Sequence, residues 1–174
     1  KRGQSALTGS FQPEPRWQRI KQGEKILREL LSYSSMLPIG EDMGADIEDI
    51  RDSMNKQAIP GTRVIRWEKD EKTDEFVPLD QYRPISLTAI SNHDSPSLRE
   101  WWLNEPAEAE KYCLFKNHKY CKHLTQDLNI KLLQDAHQTS SLFHINPLYE
   151  YLSLFKDMRW PNIQDERINV PGTV

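Results

Sequence analysis

A chain of 174 residues that is 37% hydrophobic and 28% charged, with a formal net charge of −3, is long enough to bury one core. The weakly acidic balance argues against nucleic acid or an anionic membrane as partner, and no apolar run approaches the ~18 residues of a membrane span. The two cysteines, Cys113 and Cys121, do not make a disulfide framework, which points to a reducing, cytoplasmic setting.

Residues 1–15 are polar, carry Gly3, Gly9, Pro13 and Pro15, and read as a loop that leads into the rest. From Arg16 the period becomes helical, with Trp17, Ile20, Ile26, Leu27, Leu30 and Leu31 mostly on one face, up to about Ser34. The apolar run Met36–Gly40 reads as a buried strand, although Pro38 brings no ladder donor. Asp46 is placed to cap a helix from Ile47 to Lys56. After the Pro60-Gly61 turn, Thr62–Trp67 is the second strand, and the charge run Glu68–Glu75 reads as a solvated loop.

Ile85–Asn92 is the third strand, followed by a helix with Ser95 as cap and Pro96 in its first position. Helices are expected over 106–116 and 125–138, a fourth strand over 141–145, and a last helix from Asn146-Pro147 to about Phe155. Strands alternating with helices point to a parallel α/β sheet. A complete (β/α)8 barrel needs about 250 residues, so four strands are about half of one. The closing turn signal, Pro171-Gly172-Thr173-Val174, adds the expectation that this sequence is a piece of a longer protein.

Two acids stand where strands end, Glu41 after Met36–Gly40 and Asp94 after Ile85–Asn92. A pair of carboxylates flanking an acetal bond can protonate the leaving oxygen and stabilise an oxocarbenium-like centre. Acids at strand ends and helix starts are also ordinary surface features. His93 can orient Asp94 or contact a sugar hydroxyl, or else be a satisfied core histidine. Trp101 and Trp102 offer stacking faces, yet at least one belongs to the core by its helical position. Arg63 and Arg66 read as one face of the second strand, with Trp67 at its end and a carboxylate partner for Arg66 as the plain alternative. Cys113, His118, Cys121 and His123 match no common zinc spacing, so no metal site is expected, and no phosphate loop or dinucleotide fingerprint is present.

The segment Leu37-Pro-Ile-Gly-Glu41-Asp-Met-Gly44 resembles the stretch that carries the acid/base glutamate of amylomaltases, the 4-α-glucanotransferases. Gly61–Glu68, Ser91-Asn-His-Asp94 with Leu98–Trp102, Ser141–Leu148 and Glu166–Thr173 are similar to later motifs of that family, in the same order. The resemblance implies the C-terminal half of a (β/α)8 barrel over 16–174, strands five to eight. It implies Glu41 as general acid/base and Asp94 as the carboxylate that stabilises the transition state. Asn92, His93, Arg66, Trp67 and Asn169 would contact a maltodextrin, an α-1,4-glucan, and neither cofactor nor metal would take part.

The family's nucleophile is the aspartate of an Arg-x-Asp-His motif, which is absent from this sequence. Tyr149 also stands where a glutamine is expected in Pro-Leu-Gln-Glu. The chain is therefore expected to be inactive alone, and to need the N-terminal half of the barrel or a second copy to cover its open edges. Other readings are a non-catalytic glucan-binding module and one part of a split enzyme.

Overall fold

The computed structural model describes residues 15–42, 48–70 and 72–172. They form two compact units, one holding the described residues through Thr62 together with Gly172, the other Arg63–Pro171. Asp46, Glu71, Thr173, Val174 and all but the last residue of the 1–15 lead-in lie outside the described residues.

The first unit starts with α1, Arg16–Tyr33, whose exposed surface carries the i,i+4 ion pairs Lys25–Glu29 and Glu24–Arg28. None of its residues is fully buried. It meets α2, Glu48–Lys56, through polar contacts: Arg16 to the Asp49 carboxylate, and Ser53 Oγ donating to Glu24 at 3.0 Å. Met36–Gly40 is not the buried strand that its apolar run predicts. Met36 is 78% exposed and Leu37 50%, and only Gly40 pairs, in a parallel bridge with Gly61. Pro38 donates nothing to a ladder, and no second neighbouring strand covers the segment among the described residues.

Asp42 closes this corner. Its buried carboxylate accepts from Thr62 N at 2.7 Å and from Arg51 Nε at 3.2 Å. A Cβ on Gly61 would stand 2.4 Å from the Asp42 carboxylate, so the close approach requires glycine there.

Three strands make a parallel sheet in the order β1 (Gly61–Val64), β2 (Ser86–Ala89), β3 (Phe143–His144), with Leu87 opposite Phe143. The second predicted strand stops at Val64, because Trp67 N turns back to the Val64 carbonyl. The fourth shrinks to two residues, held by side chains as much as by backbone. Ser86 Oγ and Thr88 Oγ1 each lie 2.6 Å from Ser141 Oγ, and Thr139 Oγ1 donates to Thr88 at 2.9 Å. All four hydroxyl-bearing residues are buried.

The second unit packs α3 (Leu98–Asn104), α4 (Pro106–Phe115) and α5 (Gln126–His137) around one core of Ile65, Ile90, Leu98, Trp101, Trp102, Tyr112, Leu128 and Leu132. Each such side chain contributes roughly 1.5–3 kcal/mol by leaving water. Both tryptophans are core, and Trp102 Nε1 donates to the Cys121 carbonyl at 3.0 Å. Thr125 caps α5 by accepting from Leu128 N. The charge run is less open than a solvated loop: Lys69 bridges to Phe76, and its ammonium pairs with Glu108 of α4 at 2.6 Å. Then come α6 (Leu148–Leu152) and single 3₁₀ turns at Lys156–Met158 and Ile163–Glu166. No helix among the described residues is long and apolar enough to cross a membrane.

Candidate active site

Strand β2 delivers Ser91, Asn92, His93 and Asp94 just past its C-terminal end, into a tight turn. Ser95 N donates to the Asn92 carbonyl, Asp94 N donates to Asn92 Oδ1 at 3.2 Å, and Asn92 N donates to Ser95 Oγ at 2.9 Å. The Ser95 side chain is thus spent inside the turn and does not cap the following helix. Ser97 does, accepting from Glu100 N, and α3 starts at Leu98, two residues later than the sequence predicts.

Asp94 is oriented by two neighbours. Asn169 Nδ2 donates to its carboxylate at 2.5 Å, and His93 Nε2 lies 3.4 Å from the other oxygen. Asn169 N also donates to the His93 carbonyl, and Arg167 Nη2 donates to the Asp94 carbonyl at 3.3 Å. The Asp94 side chain keeps 39% of its surface open, enough to meet a ligand. His93 is more than half exposed and is not a core histidine. Asn92, His93, Asp94 and Asn169 are therefore brought together. Glu41 lies in the first unit, exposed, immediately after the Gly40 bridge.

Arg66 and Trp67 lie past the end of β1, so Arg63 and Arg66 do not share a strand face. Arg66 is 4% exposed and turned inward, its Nη2 donating to the Pro96 carbonyl at 2.5 Å. Its guanidinium lies 5.5 Å from the Trp67 and Trp101 ring centres, while Nε and Nη1 have no hydrogen-bond partner among the described residues. Burial draws its pKa down to about 10 against the pull of Glu150. Trp67 keeps an exposed face.

Three groups that the sequence did not disclose surround this turn. Glu150, fully buried on α6, accepts from Ser91 Oγ at 2.5 Å and from Leu98 N at 3.0 and 3.2 Å. Burial pushes its carboxyl up to about 7 although these donors and Arg66 pull the other way. Glu166, also buried, accepts from Ser97 Oγ at 2.6 Å and pairs with Arg99. The Tyr149 hydroxyl lies 3.2 Å from Ser91 Oγ and donates to the Asn92 carbonyl at 3.4 Å. A glutamate in the first turn of an apolar helix start, Leu148-Tyr-Glu-Tyr, is the one local signal that could have marked Glu150.

Residues 4–174 match the family model described as 4-alpha-glucanotransferase. The 4-alpha-glucanotransferase of Chlamydia pneumoniae is 43% identical over 171 residues, which cover 98% of this chain and 32% of that protein. That of Chlamydia trachomatis serovar D is 40% identical, over 95% of this chain and 32% of its own length. Among solved structures, the amylomaltase from Streptococcus agalactiae in complex with acarbose is similar over 97% of this chain and 31% of that one, with a TM-score of 0.68 at 19% identity. The chain thus spans about a third of the length of the curated relatives it matches.

Proposed function

Since this chain belongs to the 4-alpha-glucanotransferase family, we propose that the natural polypeptide carrying it transfers α-1,4-glucan segments between maltodextrins by a retaining double displacement. Glu41 acts as general acid/base, protonating the leaving 4-oxygen and later taking the proton from the acceptor hydroxyl. Asp94 stabilises the oxocarbenium-like transition state of each step. The observation that carries this reading is the Asp94 carboxylate, presented past the end of a parallel strand, oriented by Asn169 at 2.5 Å, and still open to solvent.

Asn92, His93, Trp67 and Asn169 line the sugar, with the exposed Trp67 face available for stacking and Arg66 fixing that ring from beneath. The acarbose bound to the Streptococcus agalactiae amylomaltase is in keeping with a glucan-like ligand. The free thiols of Cys113 and Cys121 suit a cytoplasmic location. A retaining mechanism needs a nucleophilic carboxylate as well. The segment's coverage of about a third of its relatives supports supplying that residue from outside these 174 residues, whether in the same polypeptide or in a partner chain.

The test is glucose release from maltotriose. The natural polypeptide should disproportionate it, Asp94→Asn and Glu41→Gln should each lose on the order of 10³ in kcat, and the 174-residue chain alone should release none. Full activity in Asp94→Asn would overturn the role of Asp94. Turnover by the isolated chain would overturn the external nucleophile.

A further inference from the structure

The turn that carries Asp94 is gripped at both ends by one side chain. Ser91 enters the turn and Leu98 leaves it into α3, and the buried Glu150 carboxylate accepts from Ser91 Oγ and from Leu98 N alike. The Ser91 proton points at Glu150, so the Tyr149 hydroxyl proton is left to face Ser91 Oγ and the Asn92 carbonyl, 3.2 and 3.4 Å away. Two adjacent residues of α6, 52 to 59 positions away in sequence, therefore fix both flanks and the first carbonyl of the turn between them. The hydrogen bonds of these two side chains go to Ser91, Asn92 and Leu98, whereas the Asp94 carboxylate has its own partners in Asn169 and His93.

We propose that Tyr149 and Glu150 are positioning residues that set the placement of Asp94 at the sugar by staging the turn from Ser91 to Leu98. The proposal rests on the reading of Asp94 as the transition-state carboxylate. A carboxylate displaced by about 1 Å keeps its ability to bind a glucan but loses much of its advantage for the developing charge. Losing the brace should therefore lower kcat and leave KM nearly unchanged.

Tyr149→Phe keeps the ring and removes only the hydroxyl, whereas Glu150→Gln keeps the shape and removes the charge. In the natural polypeptide, amide hydrogen exchange is read at Asp94, Ser95 and Leu98 against Leu132 and Leu133 in the core helix α5. Both variants are expected to speed exchange about tenfold in the turn with α5 unchanged. In the natural polypeptide, Tyr149→Phe is expected to lower kcat for maltotriose about five- to tenfold, with KM within about twofold and the melting midpoint unmoved. Unchanged exchange in the turn for both variants would overturn the brace, as would unchanged kcat in an active parent. A rise in KM with constant kcat would also overturn it and make Tyr149 a direct sugar contact. If the unaltered natural polypeptide releases no glucose, the glucanotransferase reading fails, and the exchange data still judge the brace by themselves.

Discussion

Glu150→Gln should also change how the stability of this chain depends on pH, and the structure gives the size of the effect. The Glu150 side chain has no exposed surface, and its carboxyl is pushed from 4.5 to about 7, chiefly by burial. Two donors, Ser91 Oγ and a Leu98 N–H shared between both carboxylate oxygens, and the Arg66 cation favour the ionised form, and Glu166 opposes it. Because the folded value lies above the unfolded one, the contribution to stability is complete below pH 4.5. It is lost as the pH rises toward about 7 and stays lost above it. At about 1.4 kcal/mol per pH unit of displacement, the loss between about pH 4.5 and 7.5 is about 3 kcal/mol. For a chain of this size that is about 6–12 °C in melting midpoint.

The glutamine introduced by Glu150→Gln carries no charge to desolvate, so the difference between wild type and variant isolates this group from every other titrating residue. Calorimetric melts at half-unit steps from about pH 4.5 to 8 should show the wild type losing about 3 kcal/mol relative to Glu150→Gln across that range. A difference that stays constant with pH would refute the argument.

Two further substitutions probe neighbouring features. Arg66→Met leaves the Glu150 charge without its buried counter-ion and should cost about 3 kcal/mol at about pH 8, and clearly less at about pH 5, where Glu150 is protonated; paired melts at the two pH values check it. Gly61→Ala forces the Asp42 carboxylate off Thr62 N and Arg51, at about 2 kcal/mol. Its unfolding in urea should shift to a lower midpoint with an unchanged slope.

Elements whose cause is local were legible in the sequence. The periodicity that begins at Arg16, the Pro106 start and the helix expected over 125–138, found at Gln126–His137, all stand where the pattern puts them or within a residue of it. Ser95-Pro96-Ser97 shows where local reading stops. Both serines carry capping chemistry, and the choice falls to Ser97 because Ser95 closes the Asn92 turn while Glu166, from 69 residues away, receives the Ser97 hydroxyl. Met36–Ile39 has the composition of a buried strand and lies exposed, since burial needs a neighbour that composition cannot supply. At the site, the His93-Asp94 pair was visible as a motif. Its supports were not, because Tyr149, Glu150 and Glu166 reach it across 52 to 69 positions with no spacing rule to connect them.

The buried hydroxyls of Ser86, Thr88, Thr139 and Ser141 bear on how this sequence can change over generations. Each serves its neighbours as donor or acceptor: replacing Ser141 alone by alanine leaves the buried Thr88 hydroxyl proton without its acceptor and takes one of two partners from Ser86, which keeps the Arg83 carbonyl. Each orphaned hydroxyl costs about 1–3 kcal/mol. Exchanging the whole set for apolar residues of matching volume removes the demand among the four, leaving only the Arg83 carbonyl and His144 Nε2 to find other partners. Single steps away from this cluster are disfavoured while concerted ones are tolerated, so these four positions should drift as a group, switching together between a polar and an apolar state.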